Sequence, residues 1–226
     1  MIHKPLLKPV FSAGAPEKNI LLGYWPFEET SGDALDVHNG SGAYDFSIIF
    51  QQAGVVNKCF RYNGTSSCLW LYDNPNIDFS TNIAVSFWIK PEANSGGILG
   101  FGSKKEGDWY IDIDSNNRVI FRIQSTFSFS YVASPNASIT LNVCQHIAIT
   151  YNHGTTAIYI DGNLAASKNI ASSRAQLPSE APKIGYSQYE GYYKGFIDEF
   201  AFFSTLTPDN INWLYNNGNG RTYTEI

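Results

Sequence analysis

The sequence predicts an all-β protein of antiparallel strands, a sandwich or a barrel, with one short helix close to its C-terminal end. Three observations carry this. The stretch "CQHIAITYNHGTTAIYIDGNLAA" (residues 144–166) alternates in character through "HIAITY" and again through "AIYID", with Asn, His and Gly clustered between. It reads as a hairpin followed by a second turn at Asp161 and Gly162. "NIAVSFWIKPE" places Val85, Phe87 and Ile89 on one face and Ser86, Trp88 and Lys90 on the other. Charged residues are only 15% of the chain against 43% hydrophobic, with 19 Gly among 226 residues. That balance suits a sheet protein with many turns and excludes a disordered chain.

The elements follow in order. Residues 1–19 read as an extended arm, because Pro5, Pro9 and Pro16 interrupt regular structure and no hydrophobic period emerges. A single domain then spans residues 20–226. It opens at "NILLGYWPFEE", passes through a Gly-, Asp- and Asn-rich loop, "SGDALDVHNGSGAYDF", and continues with "KCFRYNG" and "SCLWLYDNP" as short strands. "GGILGFGSK", "DWYIDID" and "RVIFRIQ" are strands at short spacing, with "DSNN" as a turn. "DWYIDID" sets Trp109, Ile111 and Ile113 against Tyr110 and Asp112, which makes Trp109 a core residue. "TFSFSYV" puts Phe127, Phe129 and Tyr131 on one face, while Trp70 and Trp88 are ambiguous. After the hairpin come "PKIGYSQ" and "KGFIDEFAFFS". In "TLTPDNINWLYNNG", Thr207 can cap a helix, Pro208 suits its first position, Ile211, Leu214 and Tyr215 fall at helical spacing, and Gly218 can stop it.

Composition also bounds the function. A formal net charge of −5 argues against a nucleic-acid surface, since phosphate binding concentrates Lys and Arg. No stretch approaches the roughly 18 apolar residues that a spanning helix needs, so membrane insertion is not expected. The start "MIHKPLLKPVFSAGAPEKN" lacks an uninterrupted apolar segment, so export through an ordinary signal peptide is not expected either. Cys59 and Cys68 leave two readings. A two-residue turn at Asn63 and Gly64 would set them opposite each other in a geometry that permits a disulfide. A longer loop would leave two small buried thiols, and that is the expected arrangement. Cys144 has no obvious partner.

"LLGYWPFEETSGDALDVHNGSG", "FRYNGTSSCLWL", "IAVSFWIKP", "CQHIAITYNHGTTAIYIDGNLAA", "PKIGYS" and "GFIDEFAFFSTLTPDNINWLYNNGNG" occur in an order that resembles the laminin-G-like jelly-roll domains of the concanavalin A-like lectin/glucanase superfamily. The resemblance covers about residues 20–223. It departs at Cys144, where the family usually has Trp. It implies a jelly-roll sandwich of two curved antiparallel sheets whose first and last strands are neighbours. It also implies a role in binding glycans, proteins or cell surfaces, with glycoside hydrolysis in a minority of members.

The acidic residues speak against hydrolysis. A retaining hydrolase sets two carboxyl groups about 5–5.5 Å apart. Asp112 and Asp114 in "YIDIDS" share a face, but Asp114 opens a turn where Asp is ordinary, and no Glu accompanies them. Asp198 and Glu199 are adjacent in a strand and are expected on opposite faces. His38, His146 and His153 are scattered, and no nucleophile elbow, phosphate loop or zinc-spaced cluster occurs. The chain is therefore expected not to be an enzyme.

Sugar recognition pairs aromatic rings with planar polar side chains. "GYSQYEGYYKG" supplies Tyr189, Tyr192, Tyr193 and Gln188 as ligand-binding candidates, with Tyr110 and Asp112 contributing from the sheet. Tyr186, directly after a strand, is expected to pack. A structural calcium ion near the joined termini, as in related domains, would draw on Glu28, Asp36 and Asp198, with Glu29 close by. The expected role is a non-catalytic, lectin-like module that binds a glycan or cell-surface ligand. Its expected setting is a virion surface, as a phage decoration or fibre protein, or another extracellular location, with the arm reaching capsid or tail proteins. The alternative is a purely structural jelly roll without glycan binding.

Overall fold

Strand alternation divides the chain between two antiparallel sheets that face each other across one core. The computed structural model describes residues 14–71, 82–105, 107–124, 128–152, 154–170 and 181–226. The eight-stranded sheet runs Asn163–Asn169, Thr155–Ile160, Gln145–Asn152, Asn82–Pro91, Lys194–Phe203, Lys58–Asn63, Ile49–Ala53. Its eighth strand, Leu21–Trp25, pairs with the second half of Lys194–Phe203, so the first and last long strands are neighbours as expected. The ten-stranded sheet runs Phe129–Ala133, Val119–Gln124, Trp109–Ile113, Gly96–Phe101, Lys183–Ile184, Cys68–Leu71, Gly42–Phe46, Ala34–Leu35. A small hairpin, Tyr186–Ser187 with Gly191–Tyr192, joins it from the side. The architecture is the two-sheet antiparallel sandwich with one short helix that the sequence predicts.

The hairpin signals translate directly. Ile160 pairs with Asn163 across Asp161 and Gly162, both at positive φ, which is the backbone a two-residue turn between twisted strands requires. Val85, Phe87 and Ile89 point into the main core with Trp109, Ile111, Ile113 and Phe121. A second apolar cluster lies on the outer face of the eight-stranded sheet. There Ala84, Ala148 and Ala201, three small side chains on adjacent strands, let Ile211 and Leu214 of the helix Pro208–Tyr215 pack close. The Thr207 hydroxyl accepts from the Asn210 backbone N–H at 3.2 Å, and the Asn210 side chain accepts from the Thr207 N–H at 2.9 Å. The cap is reciprocal. The helix ends at Asn216 in a left-handed conformation, two residues before the Gly218 expected to stop it. Asn tolerates that conformation.

Two expectations change and one is met. "SGDALDVHNGSGAYDF" is not all loop: Ala34–Leu35 and Gly42–Phe46 are strands, stitched by a turn in which Asp36 collects donors. Cys59 and Cys68 are buried free thiols, as expected, because their strands belong to different sheets and residues 64–67 cross between them. Asp198 and Glu199 do not alternate. Ile197 and Phe200 both face the core, so a bulge leaves both acids off it, with Glu199 at φ 50°. Of the arm, residues 1–13 lie outside the described residues, as do Phe127 and His153. The Gly14 carbonyl already accepts from the Asn210 side chain at 3.0 Å, and Lys18–Ile20 form a single helical turn.

Glu199 is 7% exposed, one of its oxygens has no hydrogen-bond partner, and burial together with Glu225 pushes its carboxyl up to about 9. The native state thus holds this proton more tightly than the unfolded chain. The associated stability is complete below about pH 4.5 and is lost as pH rises towards 9. His146 acts in the opposite sense: burial pushes it down to about 3, so its share is lost as pH falls from about 6.5. Glu199→Gln should raise the melting temperature by several degrees at pH 9 and by much less at pH 5, read by thermal melts across that range. An equal shift at both pH values would refute the assignment.

Candidate functional site

Alternation also decides what faces solvent from the ten-stranded sheet. Leu69, Leu71, Ala43 and Ile184 point into the core, so Trp70, Tyr44, Phe46 and Lys183 point outward. Register sets Trp70 between Tyr44 and Lys183 and leaves the indole 39% exposed. Tyr44, Phe46 and Tyr192 are comparably exposed. Large aromatic side chains gathered in the open make this face the candidate contact surface.

The hairpin of residues 186–192 forms the wall. It lies flat on strand Gly96–Phe101 because that strand carries glycine where the two meet. A Cβ at Gly97 would come within 2.1 Å of the Ser187 nitrogen, and one at Gly100 within 2.6 Å of the Tyr186 carbonyl oxygen. Tyr186 and Tyr192 pair across the hairpin with ring centroids 4.8 Å apart. Between them and the sheet lies a cleft of about 270 Å³ lined by Phe46, Ser66, Trp70, Lys183, Tyr186 and Tyr192. The Lys183 ammonium sits 5.0 Å from the Trp70 ring centroid and 5.7 Å from that of Tyr186. Cation–π attraction tends to hold these three groups together.

Beneath the other side of the hairpin is a buried polar tie. Arg122 and the Ser187 hydroxyl both donate to the Asp112 carboxylate. The same Ser187 oxygen accepts from the Tyr189 and Glu190 backbone N–H groups at 3.2 and 3.1 Å, and Arg122 reaches Glu190 at 3.4 Å. Burial pushes Asp112 up to about 7, with Arg122 and Ser187 pulling the other way. Tyr189 packs on Tyr110 and Phe129 and donates its hydroxyl to Gln124.

The six ligand-binding candidates therefore separate. Tyr192 lines the cleft. Tyr189 and Gln188 are half-buried, Tyr189 on the far side of the hairpin. Tyr110 and Asp112 are fully buried and Tyr193 is 1% exposed, so these three support the hairpin and the core and are withdrawn from ligand contact. Tyr186, expected to pack, is half-buried and lines the cleft. Trp70, Phe46 and Lys183 were not among the candidates. "CLWL" held the signal for Trp70, since two leucines in the core force the Trp between them outward.

The calcium candidates are not brought together. Asp36 accepts from Tyr24 N at 2.9 Å, from Asn39 and Ser41 side chains, and from the His38 and Asn39 N–H groups. Asp198 accepts from Val55 and Val56 N–H at 2.7 and 3.1 Å, and burial pushes it up to about 7. Glu28 and Glu29 accept from the Lys58 and Leu35 N–H groups. Among the described residues, no three His, Cys, Asp or Glu side chains gather closely enough to hold a metal ion.

No curated protein sequence matches the chain. Among solved structures, the receptor-binding domain of botulinum neurotoxin C/D mosaic serotype aligns with a TM-score of 0.69 at 18% identity, over 89% of this chain and 52% of that one. A botulinum neurotoxin type C structure, whose description states that cell entry depends on interaction with two ganglioside molecules, aligns with a TM-score of 0.70 at 18% identity, over 88% and 51%. The chain spans about half the length of these solved chains, and at such identity the likeness establishes the fold. A family model described as the concanavalin A-like lectin/glucanases superfamily matches residues 63–212, two thirds of the sequence, and the chain belongs to that laminin-G-like family.

Proposed function

We propose that this chain is a non-catalytic saccharide-binding module whose site is the aromatic cleft on the outer face of the ten-stranded sheet. The observation that carries this is Trp70, a partly exposed indole on the cleft floor, flanked by Lys183 and walled by Tyr186 and Tyr192. An aromatic face takes the C–H surface of a pyranose ring, and the tyrosine hydroxyls, Ser66 and the Lys183 ammonium can meet its hydroxyl groups. The receptor-binding role named for the solved relatives supports the reading.

A non-catalytic role is supported by the state of the carboxylates once suspected of chemistry. Asp112 is bound to Arg122 and Ser187, and Asp114 to Arg118 at 2.6 Å and to the turn backbone. General acid–base work needs a pair that can exchange protons with a substrate. Display on a virion exterior is the finer part of the proposal, as a position from which the cleft could meet cell-surface glycans. Detection of the chain among the proteins of purified particles would support that setting, and its absence from them would remove it.

A glycan array probed with the purified chain and with Trp70→Ala tests the site. The substitution should weaken binding by about tenfold or more, as loss of an aromatic anchor does. It should shift stability by only about 0.5 kcal/mol, as is usual at the surface. Tyr189→Ala should do the reverse and cost stability first. Equal binding by wild type and Trp70→Ala would place the site elsewhere.

The wall depends on the tie beneath it. Asp112→Ala leaves the Arg122 guanidinium buried beside a lost partner, a change that costs about 3–5 kcal/mol. The milder Asp112→Asn keeps the shape, and it should lower both the melting temperature and the affinity of whatever the array identifies. Unchanged affinity in a destabilised Asp112→Asn would show that the position of the hairpin does not matter to binding.

A further inference from the structure

A second cleft opens on the opposite side of the sandwich, where the helix Pro208–Tyr215 meets the turn at residues 161–162. It has a volume of about 660 Å³, more than twice that of the aromatic cleft, and its lining includes Asp161, Asn163, Asp209, Asn212, Trp213 and Tyr215. Two carboxylates, two primary amides and two aromatic rings surround one space, with Asn217 adding a third amide at its rim. Among the described residues, lysine and arginine do not contribute to this lining.

The groups are held in advance of any ligand. Gly162 lies so close to the helix that a Cβ there would fall 2.4 Å from the Asn212 side-chain oxygen, and its φ of 76° independently demands glycine. One Asp161 oxygen accepts from the His146 backbone N–H at 2.8 Å, which fixes the carboxylate. Arg221 lies over Trp213 with 4.6 Å to the ring centroid, and Trp88 stacks on Tyr215 at 5.8 Å. Asn216 and Asn217 are consecutive non-glycine residues at positive φ, 49° and 52°. Asn tolerates this conformation, which turns the chain sharply at the end of the helix and sets Asn217 at the rim of the cleft.

We infer that this cleft is a second saccharide site, one for neutral sugars. Planar carboxylates and amides suit pairs of neighbouring hydroxyl groups, and fixed rings suit the apolar face of a pyranose. Two carboxylates disfavour uronic or sialic acids, and the Arg221 guanidinium over Trp213 is already paired with Glu225 at 2.8 Å, which sets this site apart from the cleft that contains Lys183. Because the helix covers the outer face of the eight-stranded sheet and the aromatic cleft lies on the outer face of the ten-stranded one, the two sites face away from each other. One chain then cross-links two glycan-bearing surfaces, one at each site; sites so opposed give no avidity on a single surface.

The test is a two-dimensional NMR titration of the full chain with a panel of neutral gluco-, galacto-, manno- and N-acetylglucosamine oligosaccharides, following the indole N–H signals of Trp70 and Trp213. At least one sugar should shift Trp213 and the amides of residues 161–163 saturably, both in the wild type and in Trp70→Ala. The double variant Asp209→Ala, Asn212→Ala changes two exposed side chains. It should weaken that response at least tenfold at an unchanged melting temperature. A response at Trp213 with silence at Trp70 would uphold this site independently of the aromatic cleft, whose own test is the glycan array. The inference is overturned if no panel member shifts Trp213, if the shifts disappear with Trp70→Ala, or if they survive the double variant.

Discussion

The outer face of this sandwich is organised by the tie between Asp112, Arg122 and Ser187. A hairpin of seven residues has too little apolar surface of its own to stay folded on a sheet. What holds it is a carboxylate from one strand, shared between a guanidinium from the next and a hydroxyl from the hairpin itself, all withdrawn from water. Such a group is costly to bury and costlier to leave half-satisfied, so its members are strongly coupled. The glycines at 97 and 100 are the steric half of the same device. They remove the side chains that would lift the hairpin from the strand. With either half missing, Tyr186 and Tyr192 would not form a wall and Trp70 would lie on an open face.

Alternation made most of the fold legible. Strand periodicity identified the long strands and sorted Val85, Phe87, Ile89 and Trp109 into the core, and the cap at Thr207 followed from local chemistry. The errors share a cause: they concern relations between elements that local pattern does not encode. Ala34–Leu35 is two residues long, too short for any period. The bulge at Asp198 and Glu199 adds one residue to a strand whose alternation otherwise reads cleanly.

The site was legible in kind and misplaced in detail, for the same reason. A tyrosine-rich connection pointed to the right hairpin, but the sequence does not say which of its rings turn down. Tyr193 is core because it follows the hairpin into the last strand, where it meets Tyr62 at 6.1 Å. Tyr192, one residue earlier, faces out. The partner surface, Trp70 and Phe46, comes from strands more than a hundred residues away, brought beside the hairpin by the pairing of Lys183–Ile184 with Cys68–Leu71.

The two outer faces also differ in what covers them, and the difference starts from side-chain size. On the eight-stranded sheet, Ala84, Ala148 and Ala201 form a shallow bed that the C-terminal helix fills with Ile211 and Leu214, so the apolar surface there is spent on folding. On the ten-stranded sheet the corresponding outward positions hold Tyr44, Phe46 and Trp70, which are too bulky for a helix to lie over closely and remain exposed. A fold that needed only stability would have treated both faces alike. Leaving these aromatic rings open costs solvation that burial would have recovered, and that cost is what the proposed saccharide contact would offset.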